Sequence, residues 1–545
     1  MPNIEVSFKE FQKLIGKKLP KNKDKLWDIT QFVKCEVDDI EGDNLKLELQ
    51  DTNRPDLWNE TGIARELRGA LNIETGLKKY DLKKSDKVLV KNGNVKKIRP
   101  FIAAAIAKNV KFDDYQIKQL IQLQDKLDTT HGRNRKKSAI GIYDYDKIKF
   151  PVFYKAVDPK SVSFIPLGFT YELNLLQILK EHPKGIEFGD LIKEFKKYPL
   201  LVDSADNVLS MPPIINSNHL GKVTGETKNV FIEVTGTDYR AVLTAVNIVS
   251  SYLAEKGADI ESVSIKSGRK TIITPNFAPT IWNLNNNNVI KRLGLVLSQK
   301  DSAGLLEKAR YGIKKINKDT IIVEVPFYRT DIMHDFDLVE DIGIMYGYKN
   351  IESESLKTYT IGGLTDNTLL LNKIRELSEG LGYQEVLTYT RCDKEGLFNK
   401  DCVEIANPIG EVMNSLRNEL LPMDLSFLSK NTHNEYPQRI FEAGPVLLKD
   451  KRGVIQEDHL AILDASAGSD FTTIKQVVEW LMNNLKLKFE IKNFGHEAFI
   501  PGRCAEIFVN GKAAGYFGEI HPSVLAKFNL EIPITAVELN IEKLK

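Results

Sequence analysis

Three short stretches hold residues whose types and spacing could do chemistry. The first, "VPFYRTDIMHDFDLVEDIGIMYGYKNI" at 325–351, carries five carboxylates within eleven positions. Asp337, Glu340 and Asp341 stand at i, i+3 and i+4, so a helix would bring them onto one face where like charges repel. No Lys or Arg lies between Asp331 and Ile344, which leaves a metal ion, a partner's basic patch or a solvated face as alternatives. Oxygen-only ligands suit Mg²⁺ better than zinc. On a continuous helix Asp331 would stand about 15 Å along the axis from Asp341, too far to share one ion, and it could equally cap the helix.

The second stretch pairs "VLSMPPIINSNHL" with "FIEVTGTDYR". Pro212 and Pro213 stiffen an apolar loop that ends in Asn216 and Ser217. Thr235, Gly236, Thr237 and Asp238 fall between a strand end and a helix start, where backbone N–H groups are free, or else form a plain capped turn. The third is the basic run "HGRNRKKS" (His131, Arg133, Arg135, Lys136, Lys137), a solvated loop or an RNA phosphate contact. No Ser/His/Asp or Cys/His nucleophile arrangement accompanies these stretches, so any hydrolysis would rely on positioned water. A metal-dependent phosphodiesterase built on the acidic segment would lack any His or Lys constellation beyond His334.

The elements that must position these residues are readable from periodicity. Phe8, Phe11, Leu14 and Ile15 share a helical face, and Leu45, Leu47 and Leu49 alternate as in a half-buried strand. In "DTNRPDLWNETGIARELRGAL" Asn53 is expected to cap a helix that has Pro55 near its first position. A mixed α/β domain follows: strand "FIAAAIAKNV", a helix with Ile117, Leu120, Ile121, Gln124 and Leu127 on one face, the basic loop, strands "SAIGIYDY" and "NVFIEV", then a long helix. A compact, mostly helical module runs through the "NNNN" run to the acidic segment, and helices then alternate with strands to the end, with "NGK" marking a hairpin. The boundaries read as 1–85, 86–268, 269–350 and 351–545.

Composition narrows the class. A chain of 545 residues needs several cores, and 42% hydrophobic with 28% charged residues is globular rather than disordered. With a formal charge of +2, a polyanion would have to be held by local patches. Cys35, Cys392, Cys402 and Cys504 form no CxxC pair or disulfide framework, which suits a reducing cytoplasm. No leader-like pattern opens the sequence, and "AVLTAVNIVSSYLA" is read as a buried helix rather than a membrane span.

Taken together and in order, "DTNRPDLWNETGIARELRG", "SAIGIYDYDKI", "SMPPIINS", "FIEVTGTD", the acidic segment, "NPIGEVMNSLRNELLPMDL" and "IPGRCAEIFVNGK" resemble the β subunit of phenylalanine–tRNA ligase in its archaeal and eukaryotic-type form. The resemblance implies an α+β multidomain chain: an N-terminal module, a hydrolytic editing domain, a small winged-helix-like module, and a C-terminal class II synthetase-like antiparallel sheet with helices. It implies an α₂β₂ assembly that charges tRNA(Phe) with phenylalanine, ATP being bound by the α subunit, while this chain hydrolyses Tyr-tRNA(Phe); the alternative is an RNA-binding scaffold that has lost editing. It carries a Mg²⁺ ion shared with the α subunit over to Asp331, Asp337, Glu340 and Asp341. It makes Leu209, Ser210, Pro212, Pro213, Asn216 and Ser217, facing Thr235, Gly236, Thr237 and Asp238, the walls of the editing pocket, with Asp238 first choice for the tyrosine hydroxyl or the attacking water. It places "HGRNRKKS" on a basic loop of the editing domain. Because "RIFEAG" and "GYFGEI" lack the arginines that adenylate formation needs, this chain is expected to be silent in aminoacylation. No appended anticodon-binding domain is expected after "ITAVELNIEKLK".

Overall fold

A computed structural model describes residues 2–545. The chain forms two compact units, 1–355 and 356–545. The first opens with a strand, Asn3–Ser7, ahead of the expected helix Phe8–Ile15. Ser7 caps that helix by accepting from the Glu10 N–H, and Phe8, Phe11 and Ile15 are buried. Leu45, Leu47 and Leu49 point inward from the central strand of a three-stranded sheet. The next helix corrects the sequence expectation: it begins at Glu60 and is capped by Asn59, not Asn53, while Pro55 sits in a separate 3₁₀ turn, Pro55–Leu57.

Most of the following chain enters one eleven-stranded sheet. Its main path runs Ile215–Asn216, Val208–Met211, Tyr198–Val202, Val152–Val157, Val88–Lys91, Asp259–Ser267, Phe101–Lys108, Val230–Gly236, Ser138–Asp144. The two ends of this path meet in space: Asn216 Nδ2 donates to the Ile142 carbonyl at 3.3 Å, and Tyr143 Oη lies 2.8 Å from Ser210 Oγ. The sheet therefore curls until its edges form a seam. One of its faces is closed by the helix Tyr239–Glu255, whose Val242, Ala245, Val246 and Val249 pack in one core with Ala103, Ala105 and Ala107 of the neighbouring strand. Small alanine side chains let the helix backbone approach closely. The greasy segment read as a buried helix is this one.

The remainder of the first unit is a strand, Thr280–Asn285, two helices, Asn286–Leu293 and Gln299–Lys308, two more strands, Gly312–Ile316 and Thr320–Val325, and the acidic helix Asp335–Tyr346. Asn285 of the asparagine run caps the first helix and Gly294 ends it in the left-handed region. The three strands form a sheet with Thr320–Val325 in the middle, so this module is less purely helical than its pattern suggests.

The second unit is a seven-stranded sheet, antiparallel except for a short first pair, over strands Gln384–Glu385, Gln438–Asp450, Gly453–Ala465, Ile534–Asn540, Lys512–Ile520, Phe499–Val509 and Phe489–Asn493. Successive residues alternate between two cores: Phe441, Leu460 and Ile462 face the helices Asp366–Gly380 and Phe471–Asn484, while Ile440, Ala461 and Leu463 face Leu421–Lys430 and Pro522–Lys527. The expected hairpin turns at Asn510 and Gly511, both at positive φ (52° and 77°), as a two-residue type I′ turn requires. All four cysteines are buried free thiols.

Candidate functional site

The seam of the curled sheet encloses a cavity of about 430 Å³. Its walls are mostly apolar, with Ile140, Ile142, Met211, Pro212, Pro213 and Ile214 prominent among them. Among its polar residues, Glu233 stands on a strand that pairs it directly with Gly141 of the neighbouring strand. Tyr143 Oη lies 2.8 Å from Ser210 Oγ and 2.9 Å from Glu233 Oε1. With one proton to give, the phenol donates to the carboxyl and accepts from the serine. Glu233 Oε2 is buried on the same wall and has no hydrogen-bond partner. Burial pushes the Glu233 carboxyl up to about 8, against the Tyr143 hydrogen bond and the Arg99 charge, which pull it down. Gly141 is required by this packing, because a Cβ there would come within 2.2 Å of Tyr143 Oη and 2.6 Å of Glu233 Oε1. The site is thus a mostly apolar cavity with a buried carboxyl on its wall.

Of the expected pocket residues, Ser210, Pro212, Pro213, Asn216 and Thr235 line this cavity, whereas Leu209, Ser217, Gly236, Thr237 and Asp238 do not. Leu209 is in the core, and Ser217 Oγ accepts from the Leu220 N–H. The backbone N–H groups of Thr237 and Asp238, expected to be free, both donate to the Lys137 carbonyl, at 3.0 and 3.4 Å. Gly236 lies so close to that carbonyl that a Cβ would sit 2.1 Å from it. Asp238 caps the Tyr239–Glu255 helix by accepting from the Ala241 N–H at 3.1 Å and pairs with Lys137 Nζ at 3.2 Å. Those contacts, the helix-capping bond first, hold its carboxyl below the usual range. Asp238, the expected hydroxyl-binding residue, therefore lies off the cavity, whose lining carboxyl is that of Glu233.

The acidic segment is also arranged differently from a continuous helix. The helix begins at Asp335, capped by His334, so Asp331 lies in the preceding turn. That turn folds back, and Arg329 Nη2 reaches Asp331 Oδ2 and Asp341 Oδ2 at 2.6 Å each. The axial separation expected between these two carboxylates therefore does not exist. Although burial pushes upward, the Arg329 charge and hydrogen bonds hold Asp331 at about 2. Asp341 also accepts from Tyr311 Oη at 2.5 Å. Asp337 Oδ2 accepts from the Met333 and His334 N–H groups at 2.7 and 2.8 Å, and Glu340 pairs with Lys34 at 2.8 Å. Among the described residues no three His, Cys, Asp or Glu side chains converge as a metal cage. The four carboxylates do not fit a Mg²⁺ ion held by this chain alone; their charge is met by Arg329, Lys34 and backbone donors.

A family model described as the phenylalanyl tRNA synthetase beta chain CLM domain matches residues 351–541, and one described as the tRNA synthetase B5 domain matches 282–348. The phenylalanine–tRNA ligase β subunit of Pyrococcus furiosus is 41% identical over 558 residues, covering 100% of both chains. That of Pyrococcus abyssi is 42% identical at the same coverage. The chain belongs to the phenylalanine–tRNA ligase β-subunit family. It is thus a subunit of an aminoacyl-tRNA ligase. A crystal structure of an N-terminal fragment of the phenylalanyl-tRNA synthetase β subunit from Pyrococcus horikoshii superposes with a TM-score of 0.61 at 43% identity, covering 64% of this chain and 100% of the fragment. Among the described residues no helix is long and apolar enough to cross a membrane.

In this family member the basic loop splits in two. Arg133 and Lys136 are exposed, Lys137 is tied to Asp238, and Arg135 turns inward onto the cavity wall. Of the four cations expected as RNA contacts, Arg135 is the one whose side chain lines the cavity. Sequence reasoning missed Tyr143, Glu233 and Arg99, the last of which donates to Thr235 Oγ1 and to the Thr235 carbonyl at 3.0 and 2.7 Å. One signal was available: Glu233 is a carboxylate in the middle of the apolar run "NVFIEV", buried on a strand where a charge would be costly.

Proposed function

We propose that the cavity at the sheet seam is the editing site of this ligase subunit, which releases tyrosine from mischarged tRNA(Phe). The observation that carries this is the unpartnered Glu233 Oε2 on the wall of a mostly apolar slot. A tyrosine hydroxyl entering the slot gives that oxygen a partner; phenylalanine leaves it buried and unpaired, so the site selects what a synthetic site for an apolar ring tolerates poorly. Glu233 and Tyr143 position the ring, and the ester is cleaved by water rather than by a protein nucleophile.

In this reading the C-terminal unit, of class II synthetase type, forms no adenylate. Its buried arginine, Arg417, is committed to Glu442 at 2.7 Å, to Thr388 Oγ1 at 2.7 Å and to the Pro445 carbonyl at 2.9 Å, and Arg439 pairs with Asp464. ATP is bound by an α partner in an α₂β₂ enzyme of the cytoplasm. Exposed Leu387, Tyr389, Ile409 and Val412 on this unit supply apolar surface for such a partner. A magnesium ion shared at the acidic segment would need the partner's oxygens to complete its sphere around Asp337 and Glu340. The small module with its three-stranded sheet is of winged-helix type, and Arg133 and Lys136 are the tRNA phosphate contacts of the basic loop. The test is hydrolysis of Tyr-tRNA(Phe) by the assembled enzyme, expected to outpace that of Phe-tRNA(Phe). Tyr-tRNA(Phe) hydrolysis no faster than in the absence of enzyme would show a scaffold without editing.

A further inference from the structure

Arg135 comes from the run that reads as an RNA-binding loop, yet its side chain leaves that surface. Residues Leu127–His131 make a wide helical turn, after which Arg133, Asn134 and Arg135 all adopt positive φ (49°, 51° and 63°). Three consecutive non-glycine residues in this region are uncommon and persist only where the surroundings over-determine them. Here every amide from Arg133 to Lys137 is bonded within the turn: Arg133 to the Thr130 carbonyl, Asn134 to Thr129, Arg135 to Asp128, Lys136 to Arg133 and Lys137 to Gly132, at 2.7 to 3.2 Å. The backbone is thereby locked in a form that exposes Arg133 and Lys136 and sends Arg135 inward.

What Arg135 meets is the wall opposite the Glu233 strand. Its Nη1 donates to the Pro213 carbonyl at 3.1 Å and to the Ile214 carbonyl at 2.9 Å, 78 and 79 residues away. The guanidinium lies 4.3 Å from the centre of the Phe188 ring, and Nε lies 3.4 Å from Asp128 Oδ2. Asp128 is itself fixed by the Ile140 N–H at 3.0 Å. One planar cation thus ties together the Pro212–Pro213 loop, Phe188 and the strand Ser138–Asp144, and Arg135 lines the cavity as well. The Pro213 and Ile214 carbonyls thus take a side-chain donor from a distant segment of the chain.

We infer that Arg135 is the positioning residue that holds the Pro212–Pro213 wall against the seam and so sets the width of the slot for the substrate ring. This rests on the editing reading and deepens it. Without the guanidinium two carbonyls lose their donor, the wall relaxes and a flat ring is bound less tightly and less selectively. Lysine can serve one carbonyl as a point donor but cannot bridge both while stacking on Phe188.

The experiment is steady-state deacylation of Tyr-tRNA(Phe) and Phe-tRNA(Phe) by the assembled enzyme carrying R135A, R135K or the double substitution R133A/K136A, across a salt series. For R135A the expected result is a KM for Tyr-tRNA raised roughly tenfold or more, a smaller change in kcat, a reduced preference for tyrosine over phenylalanine, and partial rescue in R135K. The dependence of log KM on log salt should keep its wild-type slope in R135A, and should flatten in R133A/K136A by about 0.7 for each phosphate no longer neutralised. Phenylalanine charging, measured on the same preparations, reports that the enzyme is folded and assembled. R135A kinetics within twofold of wild type would overturn the inference, as would a flattened salt slope in R135A, which would make Arg135 an RNA-binding residue. A wild-type enzyme that fails to clear Tyr-tRNA at all would take down the editing reading, and this inference with it.

Discussion

Replacing Glu233 by leucine keeps most of the side-chain volume and removes the carboxyl whose Oε2 lacks a partner. In the wild-type site the phenol of a mischarged tyrosine completes that oxygen's hydrogen bonding. In E233L the same phenol would be buried against an apolar wall, at a cost of about 1–3 kcal/mol. That corresponds to a roughly 5- to 150-fold rise in KM for Tyr-tRNA(Phe). Phe-tRNA(Phe) moves the other way, because its ring no longer strands a buried carboxyl, so the preference for tyrosine should collapse from both sides and the enzyme should hydrolyse its own correct product. Glutamine is the control: its amide nitrogen can donate from the Oε2 position as the neutral carboxyl does, so E233Q should stay within a few-fold of wild type. The assay is single-turnover deacylation of both substrates by the assembled enzyme, with phenylalanine charging as the check on folding. A folded E233L enzyme with an unchanged tyrosine-to-phenylalanine ratio would refute the assignment of Glu233, and so would an E233Q enzyme as impaired as E233L.

Glu233 also predicts a pH dependence of stability: its carboxyl, raised to about 8, holds in the folded state a proton that the unfolded chain releases near pH 4.5, so stability present at low pH is lost as pH rises toward and through about 8. The thermal midpoint of wild type should fall over that window relative to E233Q, and parallel curves would exclude a buried titrating Glu233. Arg329→Gln should destabilise the 1–355 unit by about 3–5 kcal/mol, because the buried Asp341 would lose its cation and Asp331 would keep only Arg54 at 3.9 Å; EDTA should leave the melting of the isolated wild-type chain unchanged, and a chelator-dependent midpoint would mean that this chain holds a metal by itself. Asp238→Ala should remove a helix cap at a cost of about 1 kcal/mol while Tyr-tRNA clearance stays near wild type, and accumulation of Tyr-tRNA would return Asp238 to the site.

Local pattern was enough for the elements. Strand alternation at Leu45, Leu47 and Leu49, the left-handed Asn510–Gly511 turn and the buried helix over 241–254 all follow from nearest-neighbour preferences and burial. Part of the pocket wall was legible for the same reason: Ser210, Pro212, Pro213, Asn216 and Thr235 lie beside turns that the sequence marks. The helix start at Asn59 rather than Asn53 was not, because both asparagines can cap and the choice is made by the turn at Pro55–Leu57.

What composition and periodicity by themselves determined was the alternation of strands and helices, the globular multidomain class and the positions of the acidic, proline-rich and basic stretches. Which of those residues face one another was decided by the tertiary structure. Ser210 and Glu233 stand 67 and 90 residues from Tyr143 along the chain; Glu233 meets it by direct strand pairing, and Ser210 joins them because the sheet curls until its two ends meet. Arg329 becomes the counter-ion of Asp331 and Asp341 because the chain folds back before the helix begins at Asp335. A locked left-handed turn sends Arg135 inward from a run of cations that composition alone would leave in solvent. The physical reason is common to all three: periodicity reports which face of an element is buried, but electrostatic and hydrogen-bond partners are chosen by long-range closure, which a local pattern does not encode.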